Sequence, residues 1–168
     1  MSFNYNGATF VSFAVTGELD DRDQRLFESN EGLTTEIVDG LLAQASQRIL
    51  TQIRNSDWWR DYQFSNDSAL QNDVRSLPAV NPDKIKARQQ EFKDMNIYFA
   101  FAEYIYPRVA DFGNETDAGI QKIKFYRDQY IALFEEVLQS GDWYDFDGDA
   151  TVEKTEKRPV KLNLVRIR

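Results

Sequence analysis

Apolar residues in this chain recur mostly at intervals of three and four, which predicts helices, and run in β-prone or alternating stretches only near its two ends. Thr9–Val15 is apolar and β-prone but short, which fits an N-terminal strand or an extended arm. A short helix is expected over about 17–28, because Thr16 precedes the acids Glu18, Asp20 and Asp21. Asn30-Glu31-Gly32 breaks it. Thr34 is then a good N-cap, with Glu36 in the first turn and Leu33 and Val38 placed as a hydrophobic staple. Ile37, Leu41, Leu42, Ala45, Ile49 and Ile53 form one apolar stripe, which ends at Asn55-Ser56.

From Asp57 to Asn81 the pattern dissolves, and a long loop is expected. Trp58 and Trp59 lie side by side in it. On a helix they would be about 100° apart, so they are not expected to face one core together. The preferred reading packs one under the loop and lets the other partly cover it. The alternative makes both interface anchors.

Asn81-Pro82-Asp83 reads as a helix restart, with cap, first-turn proline and acid. Val80 and Ile85 again suit a staple. Ile85, Phe92, Met95, Phe99, Ala102 and Tyr106 form its stripe, and Ile97–Ala102 is apolar nearly all round. Such a helix is buried on more than one side, by its own fold or by a neighbour. Pro107 is expected to end or kink it. Asn114 or Thr116 is a candidate cap for the last helix, whose inner face is Ile120, Ile123, Tyr126, Tyr130, Phe134, Val137 and Leu138. Gly141 suits its stop. The fold class expected is mainly α: a small helical bundle of three long helices and a short one, with an extended N-terminal arm and a β-prone C-terminal tail. The arm is 1–15, the bundle 16–141 with the loop 57–81, and the acidic turn and basic tail 142–168.

Charge sharpens the picture of the tail. From Lys154 onward there are six Lys/Arg and one Glu, a net +5; the whole carries −8, so the preceding residues carry −13. Val160, Leu162 and Leu164 alternate with Lys161 and Asn163, and at Val165 the parity shifts, with Val165 and Ile167 apolar and Arg166 and Arg168 basic. A bulge or a change of surface near Leu164–Val165 accounts for the shift. A strand of this kind can add to an exposed sheet edge of a partner. The alternative is pairing with Thr9–Val15 of the same chain.

The chain has no histidine and no cysteine, which removes Ser-His-Asp, Cys-His and His- or Cys-ligated metal chemistry. It has no Gly-rich phosphate loop and no nucleophile elbow, so no enzyme activity, catalytic residue or cofactor is expected. No apolar run reaches the length of a membrane span. The first residues lack the charged start and apolar stretch of a signal peptide. The acidic body disfavours nucleic-acid binding. Asp145, Asp147, Asp149, Thr151, Glu153 and Glu156 stand at the ligand positions of a calcium loop. Against this, Ala150 stands where the loop wants glycine and no helix pattern follows, so a solvated acidic turn without metal is the preferred reading.

Two stretches carry a family resemblance. Leu33-Thr-Thr-Glu-Ile-Val-Asp-Gly-Leu-Leu-Ala-Gln-Ala-Ser-Gln-Arg-Ile49 and Lys124-Phe-Tyr-Arg-Asp-Gln-Tyr-Ile-Ala-Leu-Phe-Glu-Glu-Val-Leu-Gln-Ser-Gly141 resemble helices of the head–tail connector, or adaptor, proteins of tailed bacteriophages. The likeness spans most of 13–149. It implies a virion neck protein, assembled in the host cytoplasm. It also implies a ring, usually of twelve copies, beneath the portal, meeting the tail or a stopper on its far side. The resemblance further implies that DNA passes through without specific binding and that the C-terminal extension docks on the portal.

Overall fold

A computed structural model describes residues 3–5, 8–23, 30, 32–71, 74–113 and 117–157, with the side chains of the first ten and of 68, 71 and 74 left aside. The chain is mainly helical. Its described strands are β1 (Phe3–Tyr5) and β2 (Ala8–Phe10), an antiparallel hairpin with Phe3 opposite Phe10. The expected strand over Thr9–Val15 is thus confined to its first residues, and 11–15 run on without regular structure.

Helix α1 (Thr16–Asp20) is a single short helix, and Leu19 is its buried residue. The expected 17–28 helix thus stops at Asp20, residues 21–23 are not helical, and 24–28 lie outside the described residues. Polar bonds hold this stretch to the main helices. Thr16 Oγ1 donates to Asp39 (2.5 Å), and Lys93 pairs with Glu18 (2.5 Å). Arg22 donates to Tyr98 and Asp94, while Tyr106 and Lys122 both donate to Asp23. Burial pushes the Tyr106 phenol well above its ordinary range, and the bond to Asp23 adds to the effect.

Helix α2 (Thr35–Asn55) starts at Thr34, whose side chain accepts from the Ile37 N–H. Its stripe is Val38, Leu41, Leu42, Ala45, Ile49 and Ile53, all buried, whereas Ile37 is 40% exposed and does not belong to it. Ser46 is also fully buried here. It accepts from the Asn96 amide and from the Phe13 N–H (3.1 Å), and its Oγ lies 3.2 Å from that of Ser12. Phe13 packs on Phe92 at 5.3 Å between ring centroids. One buried Ser–Asn pair thereby fixes where the arm meets the helices.

The expected loop 57–81 is corrected. Residues Asp57–Asn66 form helix α3, followed by 3₁₀ turns at Ser68–Gln71 and Val74–Ser76. Ser56 ends α2 and caps α3: its hydroxyl donates to the Ile53 carbonyl (2.6 Å) and accepts from the Trp59 N–H. The helix restart at Asn81 is corrected too. Asn81 does cap, accepting from the Asp83 N–H at 2.9 Å, but only a 3₁₀ turn Pro82–Lys84 follows. Ile85 is then drawn into a bridge with Tyr144, and the Lys86 and Ala87 N–H groups donate to Trp143 O. Helix α4 (Gln89–Ala100) begins only after Arg88, whose φ of 55° is left-handed.

Beyond α4, Phe101–Ile105 widens into a π-helical segment, and α5 (Tyr106–Val109) completes the element. Pro107 does not end the helix where it stands; the wider turn comes just before it, and helix continues to Val109. Helix α6 (Ala118–Ser140) is capped by Asp117, whose carboxylate accepts from the Gly119 (2.7 Å) and Ile120 (3.3 Å) N–H groups. The expected caps Asn114 and Thr116 lie outside the described residues. Gly141 ends α6 at φ 56°, a conformation glycine adopts at little cost.

The core lies where α4 and its π extension pack between α2 and α6. Phe92, Met95, Ile97, Phe99, Phe101 and Ile105 are buried there. The all-round apolar stretch is therefore covered largely within its own chain. Just after it, the exposed Glu103 of the π segment pairs with Arg127 of α6 at 3.0 Å.

Candidate functional site

Trp58 and Trp59 are both buried from α3, at 6% and 2% exposure, which corrects the expectation that they would not face one core. The 100° between them is spanned by a concave aromatic partner, the segment 143–146. Trp58 stacks on Trp143 (4.6 Å), and both tryptophans meet Tyr144 and Phe146. Tyr62 closes the cluster on Phe146 at 3.9 Å. Trp59 Nε1 also donates to Pro78 O at 2.9 Å, which fastens the following turns. The rings thus belong to the core of this chain. The signal for α3 was present in Ser56-Asp57, a cap followed by a first-turn acid; the partner that buries its tryptophans lies some 85 residues further on.

The acidic loop grows from this cluster. The Asp145 N–H donates to Lys84 O (2.8 Å), and Lys84 Nζ donates to Phe146 O (3.0 Å), so the loop is moored at its start. Its acids are not merely solvated. Asp145, 1% exposed, accepts from the Gly148 (2.6 Å) and Ala150 (2.9 Å) N–H groups. Glu156, also buried, accepts from Phe146 (2.6 Å), Asp147 (3.0 Å) and Glu153 (3.0 Å). Burial pushes the Asp145 carboxyl up, but the two N–H bonds and the nearby Lys84 ammonium outweigh it and hold its pKa below the ordinary carboxylate range. Carboxylate oxygens of Asp145, Asp147 and Asp149 lie within 4.8 Å of one another. Ala150 takes a φ of 75°, left-handed despite its side chain, at the position where the sequence pattern asks for glycine. The first and last acids of the pattern serve as acceptors for the loop's own backbone, so the loop folds around its carboxylates.

Arg88 ties the start of α4 to the end of α6. Its guanidinium donates to Asp142 (Nε to Oδ1 2.6 Å, Nη2 to Oδ2 3.4 Å) and reaches Glu136 (3.5 Å) and Glu91 (3.6 Å). The bond from Arg88 holds the Asp142 carboxyl below its usual range. An open groove of about 660 Å³ lies between Ser12–Phe13 and the stretch from Pro82 to Lys93. Its lining includes Lys86, Gln89 and Lys93, and Lys93 is already paired with Glu18.

Helix α6 leaves much of its surface exposed. Its buried positions are Ile123, Tyr130 and Val137, a narrow line at intervals of seven. Phe125 (55%) and Ile131 (46%) are exposed. The candidate tail residues Val160, Lys161, Leu162, Leu164, Val165, Arg166, Ile167 and Arg168 lie outside the described residues. No helix among the described residues is long and apolar enough to cross a membrane. Comparison with family models, with curated proteins and with solved structures finds no match to this chain.

Proposed function

We propose that this chain is a structural component of a tailed-phage virion: a head-to-tail adaptor, not an enzyme. In this reading its helices form a small bundle, copies of which build a ring, of twelve by the family resemblance, seated between the portal and the tail or a stopper protein. The β-prone C-terminal tail, 158–168, docks on the portal or on a neighbouring subunit. DNA passes through without specific binding.

The observation that carries the proposal is the separation of charge, a body at −13 bearing a segment at +5, in a chain with neither histidine nor cysteine chemistry. The exposed apolar residues Phe125 and Ile131 on α6 support it, since a ring needs surface to bury between copies. The test is assembly on a portal ring with residues 158–168 removed. The proposal expects assembly to be lost while helical content is kept; normal assembly of the shortened chain refutes the docking role.

A second reading, a Ca²⁺-responsive helical module, is favoured by the closeness of the Asp145, Asp147 and Asp149 carboxylates and by the left-handed Ala150. Calorimetric titration with Ca²⁺ decides it: no heat and no thermal shift remove the reading.

A further inference from the structure

We propose that residues 15–23 are a strap whose hold on the helices depends on charge, and which lets go in strong salt while the helices stay folded. The proposal is independent of the adaptor reading. The stretch has little apolar hold. Leu19 is its buried residue, while Val15, Gly17, Asp20, Asp21 and Arg22 are exposed. Its helix α1, of five residues, is too short to stand without outside contacts. Burying one leucine does not offset the entropy of ordering the whole stretch. The polar bonds therefore decide whether the strap stays down.

Those bonds reach every helix packed against it. Thr16 donates to Asp39 of α2. On α4, Glu18 pairs with Lys93, and Arg22 donates to Asp94 and to the Tyr98 hydroxyl (2.9 Å). Asp23 accepts from Tyr106 of α5 and Lys122 of α6. The ion pairs Glu18–Lys93, Arg22–Asp94 and Asp23–Lys122 are all partly exposed, so dissolved ions reach them. The screening length falls from about 10 Å at 0.1 M salt to about 3 Å at 1 M. Each exposed pair weights the docked state by up to roughly fivefold. Screening three of them should open the strap roughly tenfold more often.

The chain just before the strap is held differently. The Phe13 N–H donates to the buried Ser46 (3.1 Å), and the Phe13 ring packs on Phe92. These contacts are neutral and resist salt, so the strap pivots at Phe13–Ala14 while the preceding chain stays in place. Lys93 lines the open groove beside Ser12 and Phe13, together with the exposed Lys86. With the strap down, Glu18 neutralises Lys93; with it up, both lysines offer their charge to the groove. The strap thus sets the charge of that groove without removing its wall.

Amide hydrogen exchange of the unaltered chain, read residue by residue at 0.1 M and 1 M NaCl, tests the proposal. The Arg22 and Asp23 N–H groups, both bonded to Leu19 O, report on the strap. Those inside α2 and α6 report on the helices. Protection of the strap should fall roughly tenfold in the stronger salt, and that of the helices should hold. Glu18→Lys should release the strap already at 0.1 M, and Lys93→Glu added to it should restore most of the protection. Four results each overturn the proposal: a strap unprotected at 0.1 M, a strap indifferent to salt, an equal fall in strap and helices, or no rescue by the second substitution.

Discussion

Arg88 is the position where backbone and side chain can be separated by experiment. Its φ of 55° costs a non-glycine residue on the order of 1 kcal/mol, and its guanidinium forks onto Asp142. Both side chains are about a quarter exposed (24% and 27%). Hydrogen bonds to charged groups are worth about 1.5–3 kcal/mol, and water can partly resolvate the abandoned carboxylate, so about 2 kcal/mol is expected here. Arg88→Ala loses the fork and keeps the backbone cost, for a loss of about 2 kcal/mol. Arg88→Gly loses the same fork but relieves the backbone, for a loss of about 1 kcal/mol. With a urea slope of about 2 kcal/mol/M, the midpoints fall by about 1 M and about 0.5 M. Glycine at a helix boundary is thus expected to be more stable than alanine. The pH dependence has a definite sign: the fork lowers the Asp142 pKa, so its stabilisation is present above the unfolded value near 4 and fades as pH falls through the lowered folded value. An Arg88→Gly chain less stable than Arg88→Ala, or an Arg88→Ala gap from wild type that persists at low pH, refutes the reasoning.

Three further outcomes follow from the packing. Trp143→Ala removes a fully buried ring from the stack on Trp58 and should cost about 3–5 kcal/mol, read by urea unfolding, with loss of near-ultraviolet tryptophan dichroism. Ser46→Ala strips the acceptor for Asn96 and for the Phe13 N–H, for a loss of about 1–3 kcal/mol, and speeds proteolysis of the arm more than of the helices. Asp145→Asn removes a carboxylate that accepts two backbone N–H groups, and the thermal midpoint should fall whether or not Ca²⁺ is present. Because this carboxyl's pKa is lowered in the folded chain, the difference from wild type should vanish as pH drops through it.

What was legible in the sequence was what short range decides. Thr34 and Gly141 mark the start of α2 and the end of α6 because cap chemistry is local, and spacing gives most of the buried stripe of α2, Ile37 excepted, and the buried Ile123, Tyr130 and Val137 of α6. Helix α3 escaped because its buried face is little more than two tryptophans, covered by a segment far along the chain. For the same reason the restart at Asn81 stops after one turn. A distant carbonyl, Trp143 O, takes the N–H groups that a helix would have used. The acidic loop was expected to be solvated; the burial of Asp145 and Glu156 goes with a mooring to Lys84 that spacing does not reveal. The π segment before Pro107 left no local pattern either.

The central claim is that residues 158–168 join copies of this chain to their partner in a ring. Native mass measurement on a portal ring, for the full chain and for one ending at Lys157, tests it most directly. The account predicts a closed ring of adaptor on the portal for the full chain and portal alone with free adaptor for the shortened one; equal occupancy by both would contradict it.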